Sequence, residues 1–236
     1  MTSPVTSPPL SSPVPGPTGD NRGVRTGAAL GIAAIALIVA GFALLAAQET
    51  TLRAPADMVA GFYADASLVR IFAGGLLECA GFVLLLPFAV ALTQRLRGDG
   101  SGGRLLPDTA RSAATVYVTL CLAPGMSSGG AALWLAHTGG ADPAVIQALN
   151  LLRVFSYFAA LLPFAAFLVA VGIAAVTSGR LPRWAGWSAI AIGAALAATV
   201  PVAASDATNL LALLGLLWIV PVAVHLLRSP DPATRG

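Results

Sequence analysis

Not one lysine occurs in this chain, although it carries thirteen basic residues, so every one of them is arginine. Without a lysine amine there is no Schiff base to retinal or pyridoxal phosphate. Charge of either sign is scarce: 10% of the 236 residues are charged and 57% are hydrophobic, whereas a soluble domain is roughly one-quarter charged. With a mean hydropathy of +0.83, such a chain belongs in lipid. Histidine is limited to His137 and His225, at the ends of different apolar runs and on opposite membrane faces, which excludes bis-histidine haem ligation. No His-Glu-x-x-His or Cys-x-x-Cys occurs, so no metal site is expected, nor any other cofactor. Cys79 and Cys121 fall in separate runs at different depths and are expected to pack rather than pair. The glycine-rich stretch from Gly98 to Gly103 lacks the flanking strand of a phosphate loop and reads as a flexible linker. The net charge of +3 does not imply a nucleic-acid partner, because the arginines are scattered at the ends of apolar runs.

What the chain has in quantity is long apolar runs. Six are long enough to cross a hydrocarbon core of about 30 Å, which takes roughly 20 helical residues: Gly27 to Ala47, Ile71 to Leu92, Ala113 to Ala136, Val154 to Val176, Trp184 to Ala204 and Leu210 to Leu227. The expected fold is all-α, a six-helix transmembrane bundle over residues 27–228, flanked by a disordered tail at 1–26 and a short tail at 229–236. The Pro-, Ser- and Thr-rich tail cannot bury enough surface to fold. Its arginines come late, at Arg22 and Arg25, which argues for a retained anchor rather than a cleaved signal. If the N-terminus is cytoplasmic, Arg22, Arg25, Arg95, Arg97, Arg104, Arg111, Arg180, Arg183, Arg228 and Arg235 all fall inside, and only Arg53, Arg70 and Arg153 lie on the other side. That asymmetry places both termini in the cytoplasm and the protein in the plasma membrane.

The fourth and fifth runs form a helical hairpin around the hinge Thr177 to Arg183. Residues 48–70 form the longest outer loop, which either holds a short interfacial helix with Phe62 and Tyr63 at the headgroups or is plain loop. Three segments, Phe62-Tyr63-Ala64-Asp65, Asp142-Pro143-Ala144-Val145 and Ser178-Gly179-Arg180-Leu181-Pro182-Arg183-Trp184-Ala185-Gly186-Trp187, resemble a group of uncharacterised actinobacterial multi-pass membrane proteins. The resemblance spans the second to fifth runs. It implies six helices and brings no activity with it.

Glu78 is the only acid well inside an apolar run, about 10 Å below the outer surface. A charge there costs about 2.5 to 3.5 kcal/mol, so it must be protonated, paired or wet. An internal repeat suggests its partner. Phe82 to Ala89 matches Phe158 to Ala165, and Leu68 to Phe72 matches Leu151 to Phe155; aligning Pro87 with Pro163 brings Arg153 level with position 77. Glu78 and Arg153 are therefore expected to pair, with Asn150, Ser156 and Tyr157 nearby; the competing placement keeps Arg153 snorkelling at the headgroups and leaves Glu78 protonated. Glu78, Arg153, Asn150 and Tyr157 are the candidate binding residues. No catalytic residue is assigned. Gly125-Met126-Ser127-Ser128-Gly129 fits both a small-residue packing face and a nucleophile elbow, but no histidine lies within reach of the serines, so packing is expected. Pro87, Pro124, Pro163, Pro201 and Pro221 should kink their helices. The expected role is non-enzymatic binding, transport-like or accessory work within the bilayer, alone, as a homo-oligomer or with a membrane-protein partner. The alternative is an intramembrane enzyme acting on a lipid or isoprenoid, chemistry that commonly uses clustered acids.

Overall fold

The structure, a computed structural model, describes residues 20–45, 54–98, 102–200 and 206–229, and these residues contain helices and no strand. In chain order they are α1 (Asp20–Leu45), α2 (Ala56–Asp65), α3 (Leu68–Leu96), α4 (Gly102–Leu120), α5 (Ser127–Thr138), α6 (Pro143–Ser178), α7 (Arg183–Thr199) and α8 (Asp206–Arg228). A π-helical segment, Cys121–Met126, joins α4 to α5 without a break. Among the described residues, five stretches are long and apolar enough to cross a membrane: Arg22–Leu44, Leu68–Leu96, Gly103–Thr138, Pro143–Ser178 and Ala207–Arg228. The fifth apolar run is described as α7 over 17 residues, roughly 26 Å of helix.

Several helices begin well before their apolar runs. α1 starts at Asp20, so residues 20–26, expected to be tail, are helical. α6 starts at Pro143, eleven residues ahead of Val154, because the Asp142 side chain accepts the Ala144 N–H at 2.9 Å and Pro143 occupies the first turn. Such a cap supplies an orphan donor with its partner, and proline needs none there. At the other end Gly179 takes φ 62° and closes the helix onto Ala175 O, a left-handed conformation that glycine adopts without a Cβ penalty. The 36-residue α6 is about 54 Å long, far more than the hydrocarbon thickness, so part of it stands outside.

Around the bundle the contacts run α1 to α3, α3 to α4, α4 to α6, α6 to α7, α7 to α8 and α8 back to α1. The main core gathers Phe88 from α3, Phe164 and Leu168 from α6 and Ile219 from α8, all buried. Tyr117 of α4 stacks on Phe164 with ring centroids 4.7 Å apart. α6 and α7 touch backbone to backbone: a Cβ on Gly172 would lie 2.7 Å from Gly186 O and 2.9 Å from Ile190 N. Small residues permit this approach, which lipid-embedded helices need because lipid gives them no hydrophobic drive to associate.

The arginine-rich ends meet at one end of the bundle. There the Arg180 guanidinium donates to the Arg95 and Arg97 carbonyls, and Arg97 pairs with Asp108. That pair is half-exposed, so its stabilising contribution is small. Trp184 and Trp187 project from this end and Trp134 from the other, all exposed, as in the aromatic belts at membrane interfaces.

A second, smaller core caps the opposite end. It contains Ala54, Val59, Tyr63, Ala66, Ala132, Leu133 and Ile146. The loop-or-helix alternative is thereby decided: α2 is a helix, and its buried Val59 and Tyr63, one turn apart, pack against α5 and α6. Tyr63 is buried beneath α2. Residues 1–19 and 230–236, together with Glu49, Arg53 and Pro201, lie outside the described residues.

Candidate functional site

Beneath α2 the capping core meets the spanning helices, and polar side chains gather there. α2 is tied down along its length: Gln147 Nε2 donates to Ala54 O at 3.0 Å, Tyr63 OH donates to Asn150 Oδ1 at 3.1 Å, and the His137 ring lies 3.1 Å from Ala66 O. Beside it, Arg70 Nε donates to Leu44 O at 2.7 Å and fastens the start of α3 to the end of α1.

Asn150 is the junction of this network. Its Oδ1 accepts from Tyr63 and also from Arg153, through Nε at 3.4 Å and a terminal nitrogen at 3.2 Å. Asn150 and Arg153 both belong to α6 and stand three residues apart, on one helical face. The Arg153 stem lies close against α5, where a Cβ on Gly129 would come within 2.7 Å of Arg153 Cδ. Gly129 thus belongs to a packing face, as expected, and what it packs against is a charged side chain.

Glu78 projects from α3 into the same region and is 3% exposed. It sits against α1, where a Cβ on Gly41 would be 2.5 Å from Glu78 Cγ and 2.8 Å from Gly74 O. The cation whose charge acts on Glu78 is Arg153. The direct ion pair expected from the repeat is not formed: among the described residues the pair within 4.0 Å is Arg97 with Asp108, and Glu78 Oε1 is buried with no hydrogen-bond partner. Arg153 acts on Glu78 electrostatically without forming a direct ion pair, and its guanidinium donates to Asn150. Glu78 also acts electrostatically on Cys79, Cys121 and Tyr117, so α3, α4 and the π segment all border it.

Of the other candidates, Tyr157 turns toward α8, where its hydroxyl donates to Asn209 Oδ1 at 3.3 Å. Ser156 back-bonds to Leu152 O at 2.6 Å. Neither touches the Glu78 and Arg153 groups through those bonds.

The π segment accounts for the two serines that follow it. Pro124 lies inside it and has no N–H, and the widened turn leaves carbonyls that the hydroxyls take up: Ser127 donates to Ala123 O, and Ser128 to Pro124 O and to Gly125 O. These hydroxyls serve the backbone, a common remedy for helix-breaking prolines in membranes. Among the described residues no group of three or more His, Cys, Asp or Glu side chains could hold a metal ion.

Tyr63 is the site residue whose role the sequence concealed. The signal available was the spacing of Val59, Tyr63 and Ala66, which puts all three on one face of a helix. The closeness of Gly41 to Glu78 left no sequence signal, since it depends on how α1 and α3 cross. No protein-family model, no curated protein and no solved structure matches this chain.

Proposed function

We propose that this chain is a six-helix, multi-pass protein of the plasma membrane, with both termini cytoplasmic, that binds or moves a small polar species at the cluster of Glu78, Asn150 and Arg153, with Tyr157 alongside. It belongs with the actinobacterial membrane proteins that its hinge and loop segments resemble. Five spanning stretches and the apolar run that begins in α7 make six, and an even number returns the chain to the side on which it began. The arginine-rich end is the cytoplasmic one by the positive-inside rule. Lipid is its solvent, and a second copy or another membrane protein is its natural partner.

The observation that carries the reading is Glu78: a carboxylate in a spanning helix, 3% exposed, with one oxygen lacking a hydrogen-bond donor. Intramembrane acids are costly, and each is by default a functional-site hypothesis. The enzyme alternative has no comparable support, because the described acids do not gather into a catalytic or metal-binding set.

Native mass spectrometry of the protein extracted from its own membrane tests the site. A bound small molecule is expected in the wild type and not in Glu78→Gln or Arg153→Gln, each of which should remain helical. The same adducts in all three would remove the cluster from consideration. Orientation has its own test: an alkaline phosphatase fusion should be silent at residue 100 and active at residue 140, and the reverse pattern would overturn the topology.

A further inference from the structure

Between α4 and α6 the surface of the bundle is creased by an open groove of about 480 Å³. One wall is a single face of α4, where Leu105, Thr109, Ser112 and Val116 recur at helical spacing, and the other is Pro163 and Ala166 of α6. From Leu105 to Val116 the groove follows eleven residues of α4, about 16 Å of helix, or half of a hydrocarbon core of about 30 Å. It is therefore as tall as one leaflet. It opens at the arginine-rich end, because Asp108, which also lines it, pairs with Arg97 there.

The two ends of the groove differ in chemistry. Val116, Pro163 and Ala166 are apolar, whereas Thr109 and Ser112 place hydroxyls toward the arginine-rich end. In membrane helices such hydroxyls commonly bond back to a carbonyl of their own helix, as those of Thr93, Thr115 and Ser156 do. Among the described residues neither the Thr109 nor the Ser112 hydroxyl has a hydrogen-bond partner. Arg104 and Arg111, both exposed, flank the same end of the groove two turns apart on α4. Among the described residues neither has a carboxylate within 4.0 Å, and Asp108, the acid between them, is taken by Arg97.

We propose that this groove holds one anionic glycerophospholipid from the leaflet at the arginine-rich end. An acyl chain lies along Val116, Pro163 and Ala166, the glycerol ester oxygens accept from Thr109 and Ser112, and the phosphate sits between Arg104 and Arg111. Arginine suits that place because its planar fork donates to phosphate through two parallel bonds. A phospholipid brings the apolar length, the acceptors and the negative charge in one molecule. A second copy of the chain fits this face poorly. Copies inserted with their arginine-rich ends on the same side can form a closed dimer only about an axis along the membrane normal. A symmetric contact through the groove would then set Arg104 and Arg111 against their own counterparts, and like charges repel. The site stands apart from the Glu78 cluster, which lies beneath α2 at the opposite end of the bundle, and does not rest on it.

The probe is phosphatidylglycerol, titrated into the full chain in detergent against phosphatidylcholine of the same acyl chains and read by native mass spectrometry. The wild type is expected to hold one phosphatidylglycerol about 25-fold more tightly than phosphatidylcholine, roughly fivefold for each arginine close to an anionic lipid. Arg104→Gln and Arg111→Gln should each lose about fivefold of that preference, and the double variant all of it. Arg183→Gln removes the same charge from the exposed start of α7, outside the groove, and should leave the preference intact. Ala166→Phe fills the groove from an exposed position and should abolish retention of both lipids while the circular dichroism spectrum stays helical. Glu78→Gln should retain the lipid as the wild type does. Equal retention of the two lipids, an equal loss in Arg183→Gln, or retention that survives Ala166→Phe would overturn the proposal. Displacement of the lipid by inorganic phosphate would do the same, because a free anion would then suffice, as would a lipid-free dimer that Ala166→Phe dissociates.

Discussion

Arg153→Glu is expected to destabilise the bundle by about 3 to 5 kcal/mol, the range for a buried charge left without compensation. The substitution removes the cation that, among the described residues, acts on Glu78 and places a second carboxyl nearby, beside an Asn150 oxygen that loses two donors. Glu78→Gln should cost less than about 1 kcal/mol, since it exchanges a carboxyl for an isosteric amide where one oxygen already lacks a donor. Combining the two should cost clearly less than the sum, because the repulsion exists only when both carboxyls are present. Unfolding free energies measured by steric trapping in bicelles give all three values. Additivity within a few tenths of a kcal/mol would show that the two positions do not share an environment.

Gly172→Val should destabilise by about 3 kcal/mol, at the upper end of the usual range for overpacking. Besides the Ile190 side chain, the atoms that a side chain would strike are Gly186 O at 2.7 Å and Ile190 N at 2.9 Å. Both are backbone, so no rotamer change relieves the clash and the two helices must separate. Their separation would also open the Gly193 contact further along, where a Cβ would lie 2.8 Å from Ala165 O. Gly75→Ala is the control. Nothing lies within 4 Å of its Cβ, and it should be neutral or stabilise by about 0.5 to 1 kcal/mol through helix propensity. Thermal unfolding in detergent ranks the pair, and equal effects would mean that α6 and α7 are not in the contact described.

Much of this architecture was legible from the chain. Runs such as Val154 to Val176 announced spanning helices because the transfer cost of each residue into lipid is local and sums along the sequence. Asp142 with Pro143, and Gly179 after Ser178, marked both ends of α6 because caps act within a single turn. That Glu78 and Arg153 share a neighbourhood could also be reached, since position along a regular helix follows from residue count, and Arg153 does act electrostatically on Glu78. The same reasoning stopped at length for α1 and α6, whose polar opening turns remain helical outside the apolar runs.

Tertiary structure decided the rest. Whether residues 56–65 were helix or loop depended on a surface built by α5 and α6, which Val59 and Tyr63 cover. That Arg153 donates to Asn150 was equally open to the sequence, because the outcome turns on side-chain rotation. The Gly41 notch, the seat of Arg153 on Gly129 and the Gly172 contact all arise from how helices cross. Class, spans and ends are properties of one segment at a time, and composition and spacing fix them. Crossing angle and side-chain direction emerge only when the ridges of one helix meet the grooves of another, and no single segment carries that information.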